Sequence, residues 1–174
     1  MVEVVLRAVR VDVGSATPIL LLEEVNGDRV LPIFIGQPEA AAIGYALQNM
    51  ATPRPMTHDL LAEVISTLGG RLFAVEIQSL VGSTYYGAIR LLGPEGEVTV
   101  SARPSDAIAL ALRVGAPILV NDELMAAEGQ VLELADLDPD EDEVDSEIVE
   151  TLDEEDLVAE LREFLDGFGR EGQG

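Results

Sequence analysis

The sequence predicts an α+β fold, a compact mixed or antiparallel sheet from a duplicated βββα unit with packed Ala-rich helices, followed by an acidic C-terminal segment with one amphipathic helix. Three observations carry this reading. β-Rich runs come in two groups of three, each group leads into an Ala-rich helix entered through Pro and an acid, and Asn, Gly and Pro fall between the runs. The second half repeats the first in pattern: Glu39-Ala40-Ala41-Ala42-Ile43 matches Asp106-Ala107-Ile108-Ala109-Leu110. Such a repeat brings two similar helix mouths near each other.

In order, VEVVLRAVRV is the first strand, and TPILLLEEV and VLPIFIG follow as a hairpin around Asn26-Gly27-Asp28, since Asn-Gly between apolar runs is a strong hairpin signal. QPEAAAIGYALQNM then turns helical, with Pro38 suited to a first helical turn and Glu39 beside it. ATPRP interrupts. Thr57 is placed to cap THDLLAEVISTL, whose Leu60, Leu61, Val64, Ile65 and Leu68 form one stripe before Gly69-Gly70 ends it. RLFAVEIQSLV, TYYGAIRLL and EVTVSA are the second set of strands, and a helix from Pro104 to Val114 stops at Gly115 before PILV. Both Ala-rich helices are apolar nearly all round, so both need cover on two sides, from the sheet, each other or a second subunit.

Charge divides the chain. Of a formal net charge of -23, residues 1 to 120 hold 12 acids against eight arginines, whereas residues 121 to 174 hold 21 acids against two. The reading is therefore a domain over 1–130 and an acidic tail over 131–174, in which Thr151 and Glu154 form a capping box for a helix at about 151–166. Leu157, Val158, Leu161, Phe164 and Leu165 give that helix an apolar stripe for docking on its own domain or a protein partner. No cysteine is present, which excludes disulfides, thiolate metal sites and a cysteine nucleophile. No stretch has the roughly 18 consecutive apolar residues of a membrane span, so no membrane is expected and the chain reads as cytoplasmic. Phosphate loops, dinucleotide fingerprints, nucleophile elbows and HExxH are absent. Asp136, Asp138, Asp140 and Glu147 mimic part of a calcium loop, but Glu141 stands where its sharp turn needs Gly and Pro139 intrudes.

Chemistry concentrates at the helix mouths. His58 is the only histidine, so any imidazole base must be this residue, and Asp59 follows it. Both also suit an ordinary first helical turn. Ser105 and Asp106 suffice as helix caps, but Arg103 is not explained by capping: it pairs with an acid such as Asp106 or Glu39, or points an anion-binding fork into a cleft.

LPIFIGQPEAAAIGYAL, RPMTHDLLAEVISTLGG and VSARPSDAIALALRVGAPI, in this order and spacing, resemble the bifunctional nuclease domain family over about residues 2–130. The resemblance implies a compact, commonly oligomeric α+β domain and metal-assisted hydrolysis of DNA and RNA phosphodiesters. Mapped onto this chain by residue chemistry, Glu39, Asp59 and Asp106 are the expected hard-oxygen ligands for Mg²⁺ or Mn²⁺ and His58 the proton shuttle, so that His58, Asp59 and Asp106 form the expected catalytic set. Arg54 and Arg103, with Ser105, are the expected phosphate contacts. Nucleic acid is then the substrate and a homo-oligomer the expected assembly. The competing reading is a non-catalytic oligomeric scaffold or regulatory interaction domain, in which the same residues are caps and ion pairs.

Overall fold

The computed structural model describes residues 1–131 apart from Val13 and Ala51. The expected terminal helix, its capping box and the Asp136 to Glu147 carboxylates lie outside the described residues. The chain runs β1 (Val2–Asp12), β2 (Thr17–Glu24), β3 (Arg29–Phe34), α1 (Gln37–Leu47), α2 (Thr57–Thr67), β4 (Arg71–Val81), β5 (Thr84–Gly93), β6 (Gly96–Ala102), α3 (Pro104–Val114), β7 (Ile118–Val120), α4 (Asp122–Glu128) and β8 (Gln130–Val131).

These strands form one mixed sheet in the order β6-β5-β4-β7-β1-β2-β3-β8. β1-β2-β3 and β4-β5-β6 are each antiparallel meanders, and they lie on either side of β7 in mirrored order. β7 runs antiparallel to β1 and parallel to β4. The α+β class and the expected duplication are thus both present, with the short β7 as the seam between halves.

Alternation sets which face is dry. Along β2, Pro18, Leu20, Leu22 and Glu24 point inward while the residues between them are half-exposed, as a strand covered on one face requires. Leu20, Leu22, Leu31, Ile43, Ile77, Ile108 and Leu110 are fully buried, each contributing about 1.5–3 kcal/mol by leaving water. α3 lies at the centre, packed on β4 and β5 and flanked by α1 and α2. Its buried face includes Pro104, Ser105 and every residue from Ala107 to Ala111, so the expected two-sided cover is supplied within the chain. α1 is less enclosed, burying Ala42, Ile43 and Gly44. Gly115 ends α3 in the left-handed conformation, φ 66°, with its N–H returned to Ala111 O, a geometry that a side chain would strain.

Two local readings change in the structure. The β2–β3 hairpin forms where Asn26-Gly27 indicates, but Gly27 is not at positive φ. Its lack of a side chain serves Glu24, whose Oε2 would lie 2.1 Å from a Cβ there and instead folds over the turn to Arg29, at 2.9 Å from Nε, with Oε1 2.6 Å from Nη2. Thr57 does not cap α2 but is its first residue. The N-cap is Met56, and Asp59 reaches back from the third helical position to accept the Met56 N–H at 2.9 Å.

Candidate functional site

The N-termini of α1, α2 and α3 each carry an acid at the third helical position: Glu39, Asp59 and Asp106. At such a position a carboxylate is favoured by the free N–H groups and the helix dipole. In α2, Asp59 also caps the Met56 N–H. In α1 and α3 the acids turn to other work: neither N-cap, Gly36 or Arg103, receives a side-chain cap, and both carboxylates converge on the Arg103 guanidinium.

Arg103 Nη2 lies 2.8 Å from Glu39 Oε1 and 3.1 Å from Asp106 Oδ1, and its Nε is 2.7 Å from Asp106 Oδ2. It joins the two halves of the repeat through a forked hold on Asp106 and a single contact to Glu39. Gly36 makes room for the latter, because a Cβ at that position would stand 2.2 Å from Glu39 Oε2. His58 Nε2 lies 3.2 Å from Asp106 Oδ1, the same oxygen that Arg103 Nη2 reaches. Glu39 and His58 are mostly buried, Asp106 is one-third exposed, and Arg103 is 64% exposed, so the guanidinium is the member that faces solvent.

Burial alone would raise the Asp106 carboxyl, but the hydrogen bonds from Arg103 and His58 and the charge of both outweigh it and leave it below the ordinary carboxylate range. Arg103 is raised in turn, by its hydrogen bonds and charge interaction with Asp106 and then Glu39. Asp106 therefore stays an anion that orients the imidazole, while Arg103 stays a cation held at the rim.

Asp59, next to His58 in sequence, points elsewhere. Its Oδ1 takes a hydrogen bond from Arg113 Nε, and Arg113 also donates Nη1–H to Ala109 O at 2.7 Å. The Arg113 hydrogen bond first, and the Met56 N–H after it, hold Asp59 below the usual carboxylate range. α2 thus docks on α3 through two crossed pairs, a base of α2 on an acid of α3 (His58, Asp106) and an acid of α2 on a base of α3 (Asp59, Arg113). Arg113 escaped the sequence reading, although its position seven residues after Asp106, on the same helical face, was a usable signal.

The structure brings Glu39, His58, Arg103 and Asp106 together. It does not bring Asp59 to them, and Arg54 lines a separate groove on α2 with Leu60, Val64 and Leu68. Ser105 is buried in the first turn of α3 beside Arg103 and Asp106. As arranged, the acids do not fit a shared cation site: Arg103 stands between Glu39 and Asp106, and among the described residues no three of His, Asp or Glu gather as metal ligands.

Fold and site together define a small α+β domain whose two halves meet at a guanidinium held between carboxylates, beside a single imidazole. A family model described as the bifunctional nuclease domain matches residues 20–133, and the chain belongs to that family. An uncharacterised protein of Mycobacterium tuberculosis (strain ATCC 25618 / H37Rv) is 43% identical over 166 residues, 95% of this chain and 94% of that protein. Bifunctional nuclease 1 of Oryza sativa subsp. indica is 33% identical over 106 residues, which are 59% of this chain and 32% of the rice protein. Bifunctional nuclease 1 of Arabidopsis thaliana is 29% identical over 114 residues, 64% of this chain and 35% of the plant protein. The match covers about a third of each plant protein. Among the described residues no helix is long and apolar enough to cross a membrane.

Proposed function

We propose that this chain is a nuclease acting on DNA or RNA phosphodiesters in the cytoplasm, with the meeting point of the α1, α2 and α3 mouths as its site. The observation that supports it is the contact of His58 with Asp106 beside the outward-facing Arg103, in a member of the bifunctional nuclease domain family. With Nε2–H given to Asp106, the ring keeps Nδ1 as its free acceptor, the arrangement of an oriented general base. His58 takes a proton from the attacking water as its oxygen bonds to phosphorus and the P–O bond to the leaving nucleotide breaks. The imidazolium then gives a proton to that leaving oxygen, and Arg103 turns its fork from the carboxylates to the phosphate oxygens as charge develops there. Ser105 supports the turn that carries Arg103, and Asp59 holds α2 so that His58 meets Asp106.

Divalent-ion dependence belongs to this proposal as a separate claim. Mg²⁺ or Mn²⁺ suits the oxygen chemistry of Glu39 and Asp106, but takes both only when Arg103 leaves them.

The test is cleavage of labelled single- and double-stranded DNA and RNA by the purified full chain, with Mg²⁺, with Mn²⁺ and with chelator. His58→Ala and Asp106→Asn are expected to lose about 100-fold or more in rate while remaining folded, with Asp106→Asn costing only about 1 kcal/mol in stability. A parent chain that cuts none of these substrates under any condition defeats the nuclease reading. It would favour the scaffold alternative, which has its own support in the fact that Glu39, His58, Arg103 and Asp106 already satisfy one another.

A further inference from the structure

A hollow of about 180 Å³ is lined by the end of α1 and the residues just after it, the start of α2 and the last turn of α3. A cavity of about 150 Å³ takes benzene, so this one has the scale of a single aromatic ring. Tyr45, Met50 and Met56 supply its apolar walls, an aromatic face and two flexible thioethers suited to gripping a flat ring. The two methionines stand at the rim, 42% and 36% exposed.

The polar wall is the Asp59–Arg113 pair. The Arg113 side chain is 9% exposed, and the docking of α2 uses its Nε, on Asp59 Oδ1, and its Nη1, on Ala109 O. Docking leaves Nη2 over. That nitrogen has no hydrogen-bond partner among the described residues and is not shut off from solvent, so it opens on the hollow that Arg113 lines. In a guanidinium fork Nη2–H lies on the same edge as Nε–H, which sets a spare donor next to the Asp59 carboxylate. Each Asp59 oxygen has taken one hydrogen bond, Oδ1 from Arg113 and Oδ2 from the Met56 N–H, and each keeps a lone pair for a second. The hollow thus presents one donor beside two acceptors, on a pair whose charges cancel.

We propose that this hollow is a nucleobase subsite and that the base it takes is guanine. The Watson–Crick edge of guanine reads acceptor, donor, donor: O6 for Arg113 Nη2–H, then N1–H and the exocyclic amino group for the Asp59 oxygens. Adenine and cytosine lead with an amino group, which meets Nη2–H donor to donor, and uracil and thymine end with a second carbonyl against a carboxylate oxygen. Tyr45 takes the face of the ring. The proposal rests on the nuclease reading for the strand that carries the base. Arg113 lies seven residues from Asp106, about 10 Å along α3, so the base held here belongs to a nucleotide next to the one whose phosphate meets His58 and Arg103. Cleavage is then favoured beside guanine.

Titration of the isotope-labelled full chain with the monophosphates of guanosine, inosine, adenosine and cytidine tests the proposal without cleavage, because the four share a ribose phosphate and differ only in the base. Guanosine monophosphate at millimolar concentration is expected to move the Arg113 Nε–H and Met56 N–H resonances. Inosine monophosphate, which lacks only the exocyclic amino group, should bind there several-fold more weakly, and the adenosine and cytidine nucleotides about tenfold or more. Ala46→Phe, which fills the hollow from α1, should abolish the guanosine shifts. The four-nucleotide comparison on the parent chain decides the matter even where that variant fails to fold. Guanosine monophosphate that moves neither resonance, or moves them no more than the adenosine nucleotide does, overturns the proposal. So do shifts that persist unchanged in a folded Ala46→Phe chain. Cleavage assays separate the two readings: a chain that binds guanosine monophosphate here but cuts nothing keeps the guanine subsite and loses the nuclease, and one that cuts without binding it here loses the subsite alone.

Discussion

α1 and α3 occupy matching places in the two halves, and their differences show how a symmetric scaffold acquires one site. Each follows a three-stranded meander, has Pro in its first two positions and carries an acid at the third. The acid of α1, Glu39, meets only the guanidinium lent by the other half, whereas Asp106 of α3 meets both Arg103 and His58. α3 has Arg113 in its last turn to hold Asp59, and α1 has no basic residue there. The asymmetry enters with α2, which follows α1 in the chain but docks on α3. Duplication thus supplied two similar helix mouths, and one added helix, choosing the better buried of the two, brought the imidazole.

The comparison breaks most sharply through the core. Leu110 of α3 is 1% exposed and packed in the main cluster, whereas Leu47, the last residue of α1, is 42% exposed. Leu110→Ala should cost about 3 kcal/mol in denaturant unfolding, transfer and cavity terms together. Leu47→Ala should cost less than about 1 kcal/mol. Equal costs would mean that the two helices are not held as differently as their burial indicates.

Next comes the docking of α2. Arg113 is 9% exposed and bonds to both Asp59 and Ala109 O, so Arg113→Met leaves the carboxylate and the carbonyl without that donor. We expect a loss of about 1–2 kcal/mol, with Asp59 partly rescued by water because it is not fully buried. The diagnostic reading is the His58 ring: its imidazole resonances should move as the first turn of α2 loosens from Asp106. A destabilised variant whose His58 signals stay in place would confine Arg113 to stability.

Smaller still is the difference between the paired acids. Asp106→Asn disturbs a forked pair and the His58 contact, and Glu39→Gln a single contact to an exposed arginine. After allowance for solvent screening, about 1 kcal/mol for the first and a few tenths for the second are expected in thermal melts. The reverse order would make Glu39 the true anchor of Arg103.

Much of this scaffold was legible in the chain. Six strands, both Ala-rich helices and the repeat followed from period-two runs, Pro entries and Gly stops, which are local signals. Partners across the fold were less so. The sequence offered Asp106 or Glu39 for Arg103, and the structure uses both, because the two helix mouths meet. It offered three acids as one ligand set, and Asp59 departs from it because the face of α2 that puts His58 on Asp106 puts Asp59 beside Arg113. Adjacent residues on a helix point about 100° apart, so neighbours in sequence serve different partners. β8 was missed for a related reason: two residues carry no periodicity, and only the free edge of β3 gives them a place.

The finest test of the comparison is acid stability. Asp59 and Asp106 both have carboxyls lowered in the folded chain, the first chiefly by the Arg113 hydrogen bond, the second by Arg103 and His58 against the opposing effect of burial. Folding therefore favours their ionised forms. The stabilisation is fully present above the unfolded carboxylate value, about 4, and is lost as pH falls through the lowered values, since the unfolded chain then binds protons more readily than the native one. Melting temperature should fall as pH is taken below about 5, and Asp59→Asn and Asp106→Asn should each flatten that fall while lowering the plateau above it. Glu24, lowered by its hydrogen bonds to Arg29 in the β2–β3 hairpin, adds to the same slope from outside the site. Glu24→Gln removes the hairpin's share, and Asp12 and Asp122, also lowered, remain in either background. If it alone removes the pH dependence, the crossed pairs between α2 and α3 contribute nothing to stability, and their value lies in aiming His58.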